Sequence, residues 1–267
     1  MNLMNRPKKS LGQNFLIDKN IIDKIILSVN PKNKNIIEIG PGTGNLTKEI
    51  IKKNPSNLIL IEKDKNLCVE LKKKFNKEKI KIFNEDILKL NLENLIKENC
   101  VIVGNLPYNI ASQILVKFIK FNFWPPKFNR IVFMFQKEVG EKIISNNKKN
   151  YGRLRILSHF RFNIIKSFNV SKNCFFPKPK VESKVIIFKP KINKSYKIQN
   201  IKTLEKITHT FFSNKRKMIN KAFKSTFKNY VNVSKKLNIN LLKRPSELSE
   251  DDYYKIAELY EKNIKKI

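Results

Sequence analysis

Residues 35–51 read NIIEIGPGTGNLTKEII, and this stretch decides the fold. A β-branched run over 35–39 leads into a loop with glycine at 40, 42 and 44, and apolar residues then recur at helical spacing. A strand, a glycine-rich turn and a helix in this order predict a nucleotide-type site. Glycines let a ligand approach the backbone closely, and the start of the helix presents free N–H groups to it.

Further strands and helices alternate on both sides of this stretch. Asp18 can cap a helix over 21–29, and further helical patterns cover residues 67–75, 114–119 and 137–144. Strands are expected at 58–61, 80–83, 101–103 and 131–135. The alternation predicts an α/β fold, with a mostly parallel sheet covered on both faces, and 185–188 is expected to join it as an antiparallel strand.

The pattern changes after Pro190. Apolar residues in the remaining chain recur only at helical spacing, first over 204–212 and later over 253–260. We therefore expect a Rossmann-like domain over residues 1–192 and a smaller all-helical domain over residues 193–267.

The composition restricts the class of protein. The 267 residues carry a formal net charge of +34, spread along the whole chain, and 41% of them are hydrophobic. That apolar content excludes global disorder, and the charge favours a polyanionic partner such as nucleic acid. Charge alone leaves a basic membrane-binding protein open, although the apolar runs are strand-sized and no signal peptide fits. Three dispersed cysteines and two histidines predict no metal site.

The glycine loop and the next two strand ends form a cofactor pattern. Asn45 stands where a dinucleotide fingerprint needs its third glycine, so a pyrophosphate fits poorly, and Glu38 suits a ligand with a cationic amino-acid end. Glu62 ends the next strand, where it can accept hydrogen bonds from ribose hydroxyls. Asp86 ends the third strand, where it can accept from an adenine amino group, and Ile87 can pack on the ring. Together these residues look like an S-adenosylmethionine-dependent methyltransferase of the Rossmann-like class.

The fourth strand ends in Asn105-Leu106-Pro107-Tyr108. The Asn105 side chain supplies a carbonyl acceptor, and Pro107 leaves backbone carbonyls free to point into the cavity. Two acceptors that hold both hydrogens of an adenine amino group raise the nucleophilicity of its nitrogen. Tyr108 can stack on the base. The motif therefore predicts methyl transfer to an exocyclic amine without a strong general base.

The chain resembles the ribosomal small-subunit RNA adenine dimethyltransferases over nearly its whole length. The blocks that carry the resemblance are 9–16, 38–44, 105–108, 136–139, 151–154, 176–183, 212–218 and 244–248, together with Glu62 and Asp86. Arg155 departs from this family, which usually has a small residue there.

The resemblance implies transfer of two methyl groups to each of two adjacent adenosines in a hairpin loop near the 3′ end of small-subunit rRNA. It also implies a role in maturation of the small ribosomal subunit. Phe176 would form a second wall of the target pocket, opposite Tyr108, although the neighbouring Phe175 competes for that role. The candidate cofactor residues are Asn14, Leu16, Glu38, Gly40, Gly42, Gly44, Glu62, Asp86, Ile87 and Asn105. The candidate RNA contacts are Lys8, Lys9, Lys178, Lys180, Lys215, Arg216 and Lys217.

Three alternatives remain open. A large-subunit rRNA adenine dimethyltransferase usually has isoleucine at the position of Leu106. A non-catalytic ribosome-assembly factor would not need the retained Glu62, Asp86 and Asn105. A dehydrogenase would bind NAD. Because the family blocks begin by Lys9, which leaves no room for a transit peptide, we expect a cytoplasmic protein, and we expect a monomer.

Overall fold

The computed structural model describes residues 7–8, 11–76, 79–145, 147, 150–192 and 196–264. Lys9 and Ser10, which open the first family block, lie outside the described residues.

The predicted strands and helices occur in the predicted order, together with strands and helices that the sequence did not predict. The strands are β1 (Phe15–Leu16), β2 (Asn35–Ile39), β3 (Asn57–Glu62), β4 (Ile80–Asn84), β5 (Cys100–Asn105), β6 (Phe128–Gln136), β7 (Phe162–Val170), β8 (Phe175–Phe176) and β9 (Ser183–Pro190). The helices are α1 (Lys19–Val29), α2 (Asn45–Lys52), α3 (Lys65–Lys74), α4 (Ala111–Ile119), α5 (Lys137–Ile144), α6 (Arg153–Arg161), α7 (Ile201–Phe212), α8 (Asn220–Thr226), α9 (Tyr230–Lys236) and α10 (Glu250–Ile264).

The described strands form one large sheet and one small one. The large sheet has the order β4-β3-β2-β5-β6-β9-β7, and the small one pairs β1 with β8. Strands β2 to β6 run parallel to one another, whereas β9 runs antiparallel to β6. The predicted α/β class and the antiparallel late strand are therefore confirmed. The order changes direction at β2, and in α/β sheets such a switch point opens a crevice at the carboxyl ends of the strands.

Both faces of the large sheet are buried. On one face, Val101 and Val132 share an apolar core with Ile25 and Ile26 of α1 and Ile50 of α2. Strand residues that point to the other face are buried as well, among them Ile37, Ile102, Phe133 and Phe188. Side chains alternate between the two faces of a strand, so continuous burial along β2, β5 and β6 requires cover on both sides.

The sequence did not predict strands β1, β7 and β8. Strand β7 alternates poorly, and Ile165 within it is 52% exposed, so it lacks the apolar pattern of a central strand. Strands β1 and β8 are two residues long and form through a pairing of Phe15 with Phe176 that is distant in sequence. No local pattern encodes such a pairing.

The chain divides into two compact units. The first comprises residues 1–117, 121–140 and 163–190, and the second comprises 118–120, 141–162 and 191–267. The last junction lies close to the predicted boundary after residue 192. Residues 118–120 and 141–162 fall in the second unit, although the sequence placed them in the first domain. For α6 the reason is packing, because this helix contacts α7 and α10 of the second unit.

Arg155, the departure from the family pattern, has a structural partner in the second unit. Its Nε lies 2.6 Å from a carboxylate oxygen of Glu250, the first residue of α10, and its Nη1 donates to the carbonyl of Ser145 at 2.9 Å. The second Glu250 oxygen lies 3.2 Å from Nδ1 of His159. Arg155 is 7% exposed, so this position holds a buried ion pair that ties α6 to the start of α10.

In the residues that the structure describes, no helix is long and apolar enough to cross a lipid bilayer.

Candidate active site

A cavity lies at the carboxyl ends of β2, β3 and β5, where the sheet order switches. Its volume is about 980 Å³, including the open mouth. The segment before α1, the glycine loop and the turn after β5 form its walls. The candidate residues that line it are Asn14, Leu16, Glu38, Gly40, Gly42, Glu62, Asn105, Leu106, Pro107 and Tyr108.

The glycine loop needs left-handed backbone at three positions. The φ angles of Gly40, Gly42 and Gly44 are 67°, 57° and 79°, in the region that residues with a Cβ rarely adopt. Space is also restricted, since a Cβ on Gly42 would lie 2.8 Å from the ring of Phe15. Phe15 of the N-terminal segment therefore packs directly against the glycine loop and leaves no room for a side chain at Gly42.

Substitution of Gly44 by alanine is expected to destabilise the first unit. A Cβ at this position would lie 2.5 Å from the ring of Phe75 and would impose a left-handed conformation on alanine. We expect the free energy of unfolding to fall by about 2–4 kcal/mol, as judged from the typical costs of left-handed backbone and overpacking. Urea denaturation followed by circular dichroism measures the change.

Gly152→Ala is the matched control for that experiment. Gly152 also precedes a helix, but its φ of −175° is ordinary extended backbone, and a Cβ added there would have no atom within 4 Å. An equal loss of stability in both variants would contradict the explanation given for Gly44.

Glu62 holds the glycine loop from the end of β3. Its carboxylate accepts hydrogen bonds from the backbone N–H groups of Gly42 at 3.1 Å and Asp64 at 2.9 Å. Burial raises the pKa of this carboxyl group, and the backbone donors oppose that shift. A carboxylate oxygen accepts more than one hydrogen bond, so Glu62 can hold the loop and a ligand hydroxyl at the same time.

Glu38 lies deeper, on β2. Its side chain accepts a hydrogen bond from the Thr47 hydroxyl at 2.7 Å. Burial raises its pKa to about 8. At neutral pH the free protein therefore keeps this carboxyl group mostly protonated, in a position where a cationic ligand would favour the charged form.

The segment before α1 is tied to the cavity wall. Asp64, which caps α3, accepts hydrogen bonds from Lys8 Nζ at 3.0 Å and Gln13 Nε2 at 3.1 Å. Asn45 donates from its side chain to the carbonyl of Leu16 at 2.8 Å. These contacts place the predicted residues Asn14 and Leu16 at the cavity, and they engage the Lys8 ammonium group, which the sequence assigned to RNA.

The Asn105 side chain has a defined orientation. Its Nδ2 donates to the carbonyl of Asn14 at 2.9 Å, which leaves Oδ1 as an acceptor. The carbonyl of Pro107 accepts from the N–H groups of Ile110 at 3.1 Å and Ala111 at 3.0 Å, so it serves the start of α4. Within the described residues, the carbonyl of Leu106 accepts no such bond. Of the free backbone carbonyls expected at this turn, Leu106 rather than Pro107 fits the role of second acceptor.

The three aromatic residues considered for the target pocket, Tyr108, Phe175 and Phe176, differ in how far they are exposed. Tyr108 lines the cavity, and its hydroxyl lies 2.5 Å from the Ser183 hydroxyl. Phe176 is 45% exposed, whereas Phe175 is 3% exposed and belongs to the apolar core. Phe176 is therefore the member of this pair that is accessible to a base.

Asp86 and Ile87 follow β4 and are not among the residues that line the cavity. Asp86 forms an ion pair with Lys63 at 2.9 Å and accepts from the backbone N–H of Leu88 at 2.9 Å. The hydrogen bond from Lys63 is the main cause of its lowered pKa. Lys63 itself lines the cavity and therefore links Asp86 to it.

The other candidate RNA contacts are exposed. Lys178 and Lys180 follow β8 in the first unit, and Lys215, Arg216 and Lys217 follow α7 in the second. Lys9 lies outside the described residues. The described part of the chain contains no group of three or more His, Cys, Asp or Glu side chains that could hold a metal ion.

Sequence reasoning gave no role to several residues that shape the site. Phe15 packs against the glycine loop, Asp64 anchors the N-terminal segment, and Thr47 and Ser183 bond to Glu38 and Tyr108. The place of Asp64 between a strand and a helix indicates one of its roles, because Asp is a preferred residue at the N-cap of a helix. Phe15 and Ser183 lie in the resemblance blocks 9–16 and 176–183, but their contacts join segments that are distant in sequence, so the blocks did not indicate these contacts.

Comparisons with known proteins agree with this geometry. The sequence model of a family described as ribosomal RNA adenine dimethylase matches residues 4–262. A protein of Pelagibacter ubique named ribosomal RNA small subunit methyltransferase A is 46% identical over 96% of this chain and 97% of its own length. A protein of the same name from Mycoplasma mobile is 38% identical over 96% of this chain and 98% of its own length.

Solved structures show the same fold. A dimethyladenosine transferase from Plasmodium falciparum superposes with a TM-score of 0.78 and 28% identity, covering 95% of this chain and 98% of that chain. The 23S rRNA methyltransferase ErmE superposes with a TM-score of 0.66 at 19% identity, covering 93% of this chain and all of that chain, which is a likeness of fold alone.

Proposed function

The chain belongs to the ribosomal RNA adenine dimethylase family, and on that basis we propose that it dimethylates two adjacent adenosines in a hairpin loop near the 3′ end of small-subunit rRNA. Its cofactor is S-adenosylmethionine. The observation that carries the proposal is the position of Asn105 to Tyr108. These residues lie at and just after the end of β5, and they line the same cavity as the glycine loop and Glu62. Cofactor elements and amine acceptors thus meet at one edge of the sheet.

The residues of the cavity fit S-adenosylmethionine, which supplies an electrophilic methyl group on a sulfonium centre. Glu62 offers acceptors to the ribose hydroxyls, and Glu38 offers a carboxyl group to the amino-acid end. Gly40 and Gly42 line the cavity and let the ligand approach the backbone, whereas Gly44 is not among the lining residues and packs against Phe75. Asn14 and Leu16 cover it from the N-terminal segment. We assign Asp86 and Ile87 to the adenine end although neither lines the cavity, because Lys63 pairs with Asp86 and reaches the cavity wall.

The reacting adenine is held by acceptors. Asn105 Oδ1 and the Leu106 carbonyl each accept one hydrogen of the exocyclic amine, which directs the nitrogen lone pair toward the methyl group. An adenine amine is weakly nucleophilic because its lone pair is delocalised into the ring. The energetic contribution of the chain is therefore orientation and polarisation of the reacting amine inside the cavity. Tyr108 and Phe176 stack on the base, which an unpaired loop can expose at low cost.

Cofactor binding is expected to release a proton between about pH 6 and pH 7.5. The raised pKa of Glu38 means that its carboxyl group is protonated in the free protein. A cationic amino group beside it favours the carboxylate and lowers that pKa, so the proton leaves on binding. Titration calorimetry with S-adenosylhomocysteine, in buffers of different ionisation enthalpy, counts the protons.

Glu38→Gln is the control, because glutamine has the same shape and no proton to release. Binding enthalpies of the wild-type protein that are the same in all buffers would contradict the position assigned to Glu38.

Lysine-rich surface segments are proposed to hold the rRNA backbone. Replacement of Lys215, Arg216 and Lys217 by alanine is expected to weaken rRNA binding about tenfold or more and to reduce the salt dependence of binding, because fewer counterions are released from phosphates. Filter binding at several salt concentrations measures both effects.

A charge-matched variant controls for loss of net charge. Lys32, Lys53 and Lys97 are exposed and precede β2, β3 and β5, at the edge of the sheet opposite the cavity. An equal loss of affinity in the triple alanine variant of these residues would argue against a specific contact by residues 215–217.

We assign the activity to the small ribosomal subunit, with a role in its maturation. We further propose that the protein is a cytoplasmic monomer. Small and large subunits that lack adenosine methylation, incubated separately with the protein and labelled S-adenosylmethionine, test the choice of subunit. We expect label in small-subunit rRNA only. Label in large-subunit rRNA would overturn the assignment, and cofactor binding without label would indicate an assembly factor.

A further inference from the structure

The Tyr108 hydroxyl is bonded to a residue that has no role in the site as described so far. Its oxygen lies 2.5 Å from Oγ of Ser183, and the Ser183 residue is 0% exposed. Burial raises the pKa of the Tyr108 hydroxyl, and the bond to Ser183 is the opposing contribution. Because water does not reach Ser183, its hydroxyl depends on Tyr108 for a hydrogen-bond partner within the part of the chain that the structure describes.

Ser183 stands on a rigid support. It is the first residue of β9 and pairs with Gln136 at the end of β6. Just before it, the carbonyl of Glu182 accepts from the backbone N–H of Lys137 at 2.9 Å, and the two side chains form an ion pair at 2.7 Å. The antiparallel ladder therefore fixes the position of the Ser183 hydroxyl.

Tyr108, in contrast, lies in the turn between β5 and α4. The backbone directs its Cβ, but the orientation of the ring depends on two side-chain torsions. A hydrogen bond at the far end of the ring restricts both torsions. It also occupies the one polar group of this side chain, so Tyr108 offers its ring face to a base.

We infer that Ser183 is a positioning residue, whose hydroxyl fixes the plane of the Tyr108 ring on which the target adenine stacks. This inference rests on the proposed function, in which Tyr108 binds the base. The Ser183 hydroxyl has its largest effect on the second methylation. A monomethylated amine has one hydrogen left, so the base loses one acceptor contact and depends more on stacking for its orientation.

Four variants test the inference: Ser183→Ala, Tyr108→Phe, the double variant and Ser158→Ala as control. Ser158 is also 0% exposed, lies in the second unit, and has no hydrogen-bond partner for its Oγ within the described residues. The measurements are kcat/KM for small-subunit rRNA, the ratio of dimethyladenosine to monomethyladenosine, the Kd of S-adenosylhomocysteine, and the thermal midpoint.

Ser183→Ala and Tyr108→Phe are each expected to lower kcat/KM about fivefold to tenfold and to raise the share of monomethyladenosine. Because both substitutions remove the same hydrogen bond, the kcat/KM of the double variant should be no lower than that of the less active single variant. Cofactor affinity should stay unchanged, and Ser158→Ala should behave as the wild type.

Additive losses in the double variant, or an unchanged product ratio, would overturn the role given to Ser183. A fall in activity that only follows the thermal midpoint would do the same, because it indicates a purely structural serine. If the wild-type protein itself transfers no methyl group, the proposed function fails, and the inference fails with it. An active wild type with unaffected variants overturns the inference alone.

Discussion

Replacement of Asn105 by alanine is expected to lower the rate of methyl transfer about a thousandfold, at the upper end of what a single preorganised polar contact contributes in a transition state. The variant loses the side-chain acceptor for the adenine amine. Cofactor affinity is expected to fall by less than about tenfold, since Glu62 and the glycine loop remain in place. Single-turnover methylation of rRNA and calorimetric titration with S-adenosylhomocysteine separate the two effects.

Asn105→Asp is the sharper test of how the side chain is oriented. Aspartate keeps an acceptor, but it has no N–H group for the Asn14 carbonyl, which lies 2.9 Å from Nδ2 of Asn105. An oxygen in that place would be repelled, so the carboxylate must turn away or take up a proton. We therefore expect at least about a hundredfold loss here too. Wild-type activity in the aspartate variant would show that the contact with Asn14 does not matter.

Asn129→Asp serves as the control for both variants. Asn129 is exposed and bonds to Asn99 near the start of β5, at the opposite edge of the sheet from the cavity. Its activity should match that of the wild type.

Glu62→Gln is expected to weaken cofactor binding about a hundredfold, which corresponds to the usual strength of a hydrogen bond accepted by a charged group. In the wild type, both carboxylate oxygens face backbone N–H groups, those of Gly42 and Asp64. The glutamine amide must place its NH₂ group against one of these donors, so either Gly42 or Asp64 loses its acceptor, and the ribose loses the charge of the carboxylate. Calorimetric titration with S-adenosylhomocysteine measures the change.

Glu98→Gln is the matched control, because Glu98 is exposed before β5 and, among the described residues, its hydrogen bond to Asn35 uses the backbone carbonyl and not the side chain. If the Glu62→Gln variant binds the cofactor as tightly as this control, Glu62 does not contribute to cofactor binding.

The parts of the fold that sequence could predict are those with local physical causes. The β-branched run before Gly40 and the helical spacing after Gly44 encode β2 and α2 within one short stretch, and the strand-end acids follow from the same periodicity. The meeting of the glycine loop, Glu62 and Asn105 at one cavity was therefore predictable from the amino-acid sequence, whereas their roles toward cofactor and adenine stay predictions.

Other parts of the fold depend on contacts that the hydrophobic periodicity of the sequence does not predict. The pairing of Phe15 with Phe176, the bond from Tyr108 to Ser183 and the ties from Lys8 and Gln13 to Asp64 each join segments distant in sequence. The choice between Phe175 and Phe176 depended on burial, which two adjacent phenylalanines cannot reveal. The packing of α6 with helices of the second unit was missed for the same reason.

The most direct test of the central claim is the identity and position of the methylated nucleoside. Small-subunit rRNA that lacks the modification would be incubated with the protein and S-adenosylmethionine, digested with a sequence-specific ribonuclease and analysed by mass spectrometry. The account predicts N6,N6-dimethyladenosine at two adjacent positions of one hairpin loop near the 3′ end. Methylation of another base, of a ribose, or of a paired segment would contradict it.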